Sequence, residues 1–154
     1  MFKRKPPRLR NPFAVSDMPL YYVTANTRHR QPVLANTAVH EAFREYALQN
    51  AQEGRSVGRY VIMPDHLHFF VRGQRGFTLG TFVRLMKQSL DRVLGAPHEA
   101  ESWWQPGFFD HVMRSDESYA QKWEYVRRNP VRKGLVAAAE EWPFQGEIVR
   151  IDRA

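Results

Sequence analysis

Apolar residues recur along the chain with two different periods, and the switches between them divide it into elements. From Pro19 the run Leu20-Tyr21-Tyr22-Val23-Thr24-Ala25 is aromatic and β-branched, which suits a first strand. Between residue 37 and about residue 52, Val39, Phe43, Tyr46, Ala47 and Asn50 fall at helical spacing, giving a helix with one core face that Gly54 ends. Two strand-like runs follow over residues 58–63 and 66–72, with only Pro64-Asp65 between them, so a tight connection joins neighbouring strands. Over residues 78–94, Leu79, Phe82, Val83, Met86, Leu90, Val93 and Leu94 form one stripe, while Arg84, Lys87 and Arg92 fall outside it. That pattern predicts a second helix with a basic outer face. Residues 107–114 read as a fourth strand. Ser115 can cap a third helix, which must stop near Asn129 because Pro130 disfavours the helical conformation in the residue before it.

The order strand, helix, strand, strand, helix, strand, helix matches, in its first six elements, a ferredoxin-like (RRM-like) α+β fold. In that fold an antiparallel sheet carries helices on one face; here an additional helix follows. Residues 1–18, rich in Pro and Arg, are expected as a basic flexible leader, residues 19–145 as the domain, and residues 146–154 as a short tail.

Composition narrows the class of partner. The 154 residues suit one globular domain, and 23 Lys and Arg against 16 Asp and Glu give a net charge of +7, which favours polyanions and nucleic acid first. No apolar stretch approaches the roughly 18 residues a spanning helix needs, so no membrane association is expected. The basic start, including Lys3, Arg4 and Lys5, has no secretory pattern, and a cytoplasmic location fits. The chain has no cysteine, so thiol nucleophiles, zinc ribbons and disulfides are excluded, and any metal must be held by His and oxygen ligands.

The candidate chemistry lies in two segments. In His66-Leu67-His68 the strand alternation points both imidazoles to one sheet face and Leu67 to the other. Such a pair is half a metal site, and equally a plain solvent-facing surface. On the third helix, Tyr119, Trp123 and Val126 form a narrow stripe that suits a core edge. Tyr125 lies roughly 120° away from Tyr119 at about 100° per residue, with Asn129 one turn above it. If that face looks toward the histidines, the Asn129 carbonyl oxygen can complete a His, His, Asn set while the Tyr125 hydroxyl points at what the ion holds. A free phenol is only about one part in a thousand ionised near pH 7, so attack on an anionic phosphodiester needs a cation to neutralise charge and orient the bond.

Four segments, read together, resemble a known family. They are Tyr60-Val61-Ile62-Met63-Pro64-Asp65-His66-Leu67-His68, then Trp104-Gln105-Pro106-Gly107-Phe108-Phe109-Asp110-His111-Val112-Met113-Arg114, then Tyr125-Val126-Arg127-Arg128-Asn129-Pro130-Val131-Arg132-Lys133-Gly134-Leu135-Val136, and finally Trp142-Pro143-Phe144. In that order they resemble the single-tyrosine HUH transposases of bacterial insertion sequences, most closely the REP-associated tyrosine transposase branch. The resemblance implies His66 and His68 as metal ligands, Asn129 as the third ligand where relatives carry Gln, Tyr125 as the nucleophile, and Mg²⁺ or Mn²⁺ as the cofactor. It also implies a 5′-phosphotyrosine intermediate and single-stranded DNA hairpins, REP-like palindromes with an adjacent guide sequence, as partners. Lys3, Arg4, Lys5, Arg84, Lys87, Arg92, Arg114, Arg132 and Lys133 are then candidate DNA contacts. A monomer is slightly favoured over a homodimer.

Two other readings use the same residues. A non-catalytic ferredoxin-like module would bind nucleic acid through sheet aromatics and leave the histidines dispensable. A hydrolase using metal-bound water would keep the histidines and leave Tyr125 idle. His111 is expected as a packing or hydrogen-bonding residue, and His29, His40 and His98 as isolated surface histidines. One of Trp103 and Trp104 is expected in the core, and either could stack an unpaired base.

Overall fold

A computed structural model describes residues 18–97, 101–114 and 116–151. Lys3, Arg4, Lys5, most of the expected leader, His98 and the Ser115 cap lie outside these residues. The elements are β1 (Leu20–Asn26), α1 (Thr37–Ala51), β2 (Ser56–Ile62), β3 (His66–Arg72), α2 (Leu79–Leu94), β4 (Phe109–Met113), α3 (Asp116–Arg127), α4 (Asn129–Arg132) and β5 (Gln145–Glu147). The five strands form one antiparallel sheet in the order β4-β1-β3-β2-β5. The fold is therefore α+β as the pattern predicts, with one strand more.

Alternation along the strands splits the sheet into two apolar faces. Val23 and Ala25 of β1, Tyr60 and Ile62 of β2, and Leu67, Phe69 and Val71 of β3 turn to one side, where α1 and α2 cover them. All five residues predicted for the α1 core face, Val39, Phe43, Tyr46, Ala47 and Asn50, are buried. The Asn36 side chain caps that helix by accepting from Val39 N–H. On α2 the predicted stripe is too wide: Phe82, Val83, Met86 and Leu90 are buried and Leu79 and Leu94 pack against the core, but Val93 is 45% exposed. His40 is not an isolated surface histidine, because its Nε2 lies 2.7 Å from Tyr60 Oη. Trp104 is the buried member of the tryptophan pair, and its indole N–H donates to Asp91 at 2.8 Å.

The second face carries α3. Tyr119 and Val126 are buried on it, and Tyr119 meets Phe70 edge-on at 4.7 Å between centroids. β2 makes room through a bulge between Val57 and Tyr60, where three residue steps on β2 match two on β3. At the bulge the Arg59 N–H donates to the Tyr119 hydroxyl at 3.4 Å, and the Arg59 guanidinium lies over the Tyr119 and Trp123 rings. Gly58 is required there, since a Cβ would meet Ile151 Cγ1 and Tyr119 Oη at 2.8 Å each.

Residues 146–151 are not a separate tail. Gly146 and Glu147 belong to β5, Ile148 and Val149 donate backbone bonds to Gly58 and Val57, and Ile151 is buried against the second face. The sequence gives little sign of this because the strand is short and its side chains are half-exposed. Buried Trp142, donating to the Ile62 carbonyl at 2.9 Å, packs with Val61, Met63 and Val126 and fixes the far end of α3. No helix among the described residues is long and apolar enough to cross a membrane.

Candidate active site

His66 and His68 project from β3 onto the face that carries α3, with ring centroids 4.7 Å apart. The short loop after α3 brings Asn129 to them: its amide nitrogen lies 3.3 Å from His66 Nε2 and 3.2 Å from His68 Nε2. Each ring is held from behind. His66 Nδ1 lies 2.7 Å from Asp65 Oδ1; the carboxylate only accepts, so Nδ1 carries the proton and Nε2 keeps its lone pair. His68 Nδ1 lies 2.8 Å from Tyr22 Oη and 2.9 Å from Thr24 Oγ1, two hydroxyls able to accept its proton and leave Nε2 free.

This donor set fits a divalent cation. Two imidazole lone pairs face one point, and rotating the Asn129 amide by half a turn, which changes no packing, presents its carbonyl oxygen there. Among the described residues no group of three or more His, Cys, Asp or Glu could hold a metal, and the amide is the further side chain that meets both histidines.

The electrostatics keep the rings neutral, as metal ligation requires. Burial pushes the His68 imidazole down to about 3, helped by the charges of His66, Arg132, Lys122 and Arg30. His66 is also lowered, chiefly by burial, with the Asp65 hydrogen bond and charge opposing. The Asp65–His66 contact is therefore a hydrogen bond to a neutral ring more than an ion pair. Burial alone would raise the Asp65 carboxyl, but hydrogen bonds from His66 and Arg30 and the charges of both outweigh it, and its pKa lies below the usual value. Arg30 reaches Asp65 Oδ2 through Nε at 3.0 Å from a loop in which His29 and Arg30 both take the left-handed backbone conformation.

Tyr125 stands apart from this cluster and is 62% exposed. Tyr22, which touches His68, has its pKa raised chiefly by burial, and the nearby Tyr125 phenol adds to the rise. The Arg132 guanidinium covers the Tyr125 ring at 3.9 Å and donates to the Tyr125 carbonyl at 2.7 Å. A continuous helix would stack Asn129 above Tyr125. Instead α3 ends at Arg127, because Pro130 has no N–H for the Val126 carbonyl, and α4 turns Asn129 inward to 8% exposure.

The predicted cationic contacts divide between the two sides. Arg132 and Lys133 flank the histidines, joined by Arg30 and Lys122, which the residue pattern did not single out. Arg84 and Arg92 are exposed on α2, across the sheet from the site, and Arg114 is exposed just after β4. Lys87 is not on a free outer face: it donates to the Gln105 and Gly107 carbonyls at 3.3 and 2.7 Å and lies over the Trp104 ring. Burial lowers its pKa, with Asp91 opposing. Asp65, Tyr22 and Thr24 are the groups that sequence reasoning missed, since Asp65 reads as a turn residue and the other two as ordinary strand positions. His111 is exposed on β4 and packs into no core.

An antiparallel sheet with paired histidines on one face and a tyrosine-bearing helix across it is the arrangement of a tyrosine transposase. The chain belongs to the IS200-like transposase family, whose model matches residues 16–129. It is 25% identical over 127 residues to a REP-associated tyrosine transposase of Escherichia coli K12, covering 80% of this chain and 73% of that one. An uncharacterised Haemophilus influenzae protein is 29% identical over 97 residues, covering 49% of this chain and 54% of its own length. The solved structure of a REP-associated tyrosine transposase bound to a REP hairpin superposes with a TM-score of 0.69 at 22% identity, covering 94% of this chain and 82% of that one.

Proposed function

We propose that this protein nicks and rejoins single-stranded DNA at REP-type hairpins, with Tyr125 as the nucleophile and His66, His68 and Asn129 holding Mg²⁺ or Mn²⁺. The observation that carries this reading is the meeting of Asn129 with both histidine Nε2 atoms, with the exposed Tyr125 phenol near Tyr22, which bonds His68. The relative solved with a REP hairpin supports the choice of DNA. The ion, when bound, would neutralise a non-bridging phosphate oxygen and polarise phosphorus.

The Tyr125 oxygen attacks phosphorus and forms a phosphotyrosine with the 5′ end of the downstream strand. The bond to the 3′ oxygen opens; the phenol proton passes to solvent, and the departing 3′ oxygen takes a proton from solvent to become a hydroxyl. The diester count is unchanged, so a 3′-hydroxyl on another strand can reverse the step without ATP. Arg132 holds the phenol's orientation, and Lys122 and Lys133 add positive charge where the anionic strand must lie. Action as a monomer is the proposed state. The cytoplasm is the proposed setting.

The test is a labelled hairpin oligonucleotide with single-stranded flanks, run on a denaturing gel after incubation with Mg²⁺ or Mn²⁺. Wild type should yield a covalent protein–DNA band and a free 3′ end, and Tyr125→Phe neither, while hairpin binding persists. Cleavage by Tyr125→Phe at the wild-type rate would transfer the chemistry to bound water. Absence of cleavage by both, with His66→Ala binding unchanged, would leave only a binding module.

A further inference from the structure

Most large apolar side chains of the second face are covered by α3 and the carboxy-terminal segment, but Phe109 is 61% exposed. It opens β4, an edge strand of the sheet, and its neighbour Phe108 packs into the first-face core, so the exposure belongs to Phe109 alone. The register fixes where the ring stands. Phe109 pairs with Thr24 on β1, and Thr24 pairs with His68 on β3, in one row across the sheet. Directly opposed residues of antiparallel strands share a face, and the Thr24 hydroxyl bonds His68 itself. Phe109 therefore rises from the face of the histidines, two strand spacings or roughly 10 Å from His68. His111, two residues on, is exposed beside Tyr22 in the next row.

We infer that Phe109 is a stacking platform for an unpaired nucleobase next to the phosphodiester that the site acts on. This deepens the proposed function and rests on it. An exposed phenyl ring costs solvation where it stands and is bonded to nothing polar, whereas every nucleobase offers it a flat face. The charge at the far end of the row suits the backbone of the same strand, because Arg30 and Lys133 act on His66 and Arg132, Lys122 and Arg30 on His68. The occupant is a single strand: a duplex offers no free base face, while a flank beside a hairpin does. Stacking is tolerant of base identity, so Phe109 fixes the position of the strand and leaves sequence choice to other groups.

The experiment measures binding and not cleavage, in Tyr125→Phe protein with chelator, using fluorescein-labelled hairpin oligonucleotides with single-stranded flanks on both sides. Phe109→Ala should weaken binding about ten-fold and Phe109→Tyr should not, as alanine substitution at a base-stacking aromatic does elsewhere. Replacing flank nucleotides one at a time by abasic residues should find one position at which the Phe109→Ala loss disappears. An iododeoxyuridine at that position should crosslink to Phe109 under ultraviolet light. Equal binding by wild type and Phe109→Ala overturns the inference while leaving the nicking reading intact, as does a loss that no abasic position absorbs. A shift of Phe109→Ala from dimer to monomer in sedimentation, with DNA binding unchanged, would assign the ring to contact with a second copy. Failure of wild type to bind any flanked hairpin would overturn both readings.

Discussion

Lowering the pH from 8 to 6 should barely weaken divalent-cation binding at the candidate site, and the reason can be worked through in numbers. An ordinary histidine with a pKa near 6.5 is about 97% neutral at pH 8 and about 24% neutral at pH 6. Two such ligands, both needing free lone pairs, would cost roughly sixteen-fold in apparent affinity over that interval. Here His68 is pushed down to about 3 by burial and by four neighbouring positive or protonatable groups, so it stays neutral throughout. His66 is lowered from 6.5, so it costs less than the roughly four-fold of an unshifted ring. The expected loss is therefore below about four-fold. Calorimetric titration of Mn²⁺ into metal-free protein at the two pH values measures it, with His66→Ala and His68→Ala as controls for site identity. A sixteen-fold loss would refute the claim that the rings are buried and held neutral, and with it the picture of a site built ready for a cation.

The same shift bears on folding with a definite sign: between pH 6.5 and about 3 the unfolded chain binds a proton at residue 68 that the folded chain refuses. Stability of the metal-free protein should fall as acid is added through that window, and His68→Gln should fall less; equal acid profiles for the two proteins would contradict this. Asp65→Asn removes the carboxylate behind His66 and should weaken Mn²⁺ binding about 10–100-fold with little change in metal-free melting temperature, measured by the same calorimetry and by thermal denaturation. Gly58→Ala forces a Cβ to within 2.8 Å of buried Tyr119 and Ile151 and should cost about 1–3 kcal/mol. A melting temperature within a degree of wild type would show that α3 can lift from the bulge.

Most of the frame was legible in the residues because it rests on periodicity. The α1 face was read residue for residue, and the span of β3 and the opposite facing of His66 and Leu67 follow from a period of two. What escaped is what periodicity does not encode. β5 holds its place through three backbone pairs to β2 and through Trp142 and Ile151 at a distance along the chain, and two half-exposed residues followed by an exposed one carry no pattern. Asp65 escaped for a related reason: a carboxylate in a two-residue turn is explained by the turn, and only the coordinates show it against the Nδ1 of the next residue. The cation Lys87 was misplaced because charge at a helix position says nothing about a loop that comes back to use it, as the carbonyls of Gln105 and Gly107 do.

The projection of Tyr125 and Asn129 onto one helical face failed in a way that matters for chemistry. On a straight helix an amide directly above the phenol would share its exposure, and could not also enter the buried cluster of His66 and His68. Pro130 resolves the conflict: the missing N–H ends α3, and the short α4 carries Asn129 inward while leaving Tyr125 on the surface. Arg132, one turn beyond, then reaches back to the Tyr125 carbonyl and ring, so the break separates the two groups without letting the phenol drift from the site. A helix stop that reads in the sequence as a mere boundary is thus the device that lets one segment supply both a buried amide and an exposed phenol.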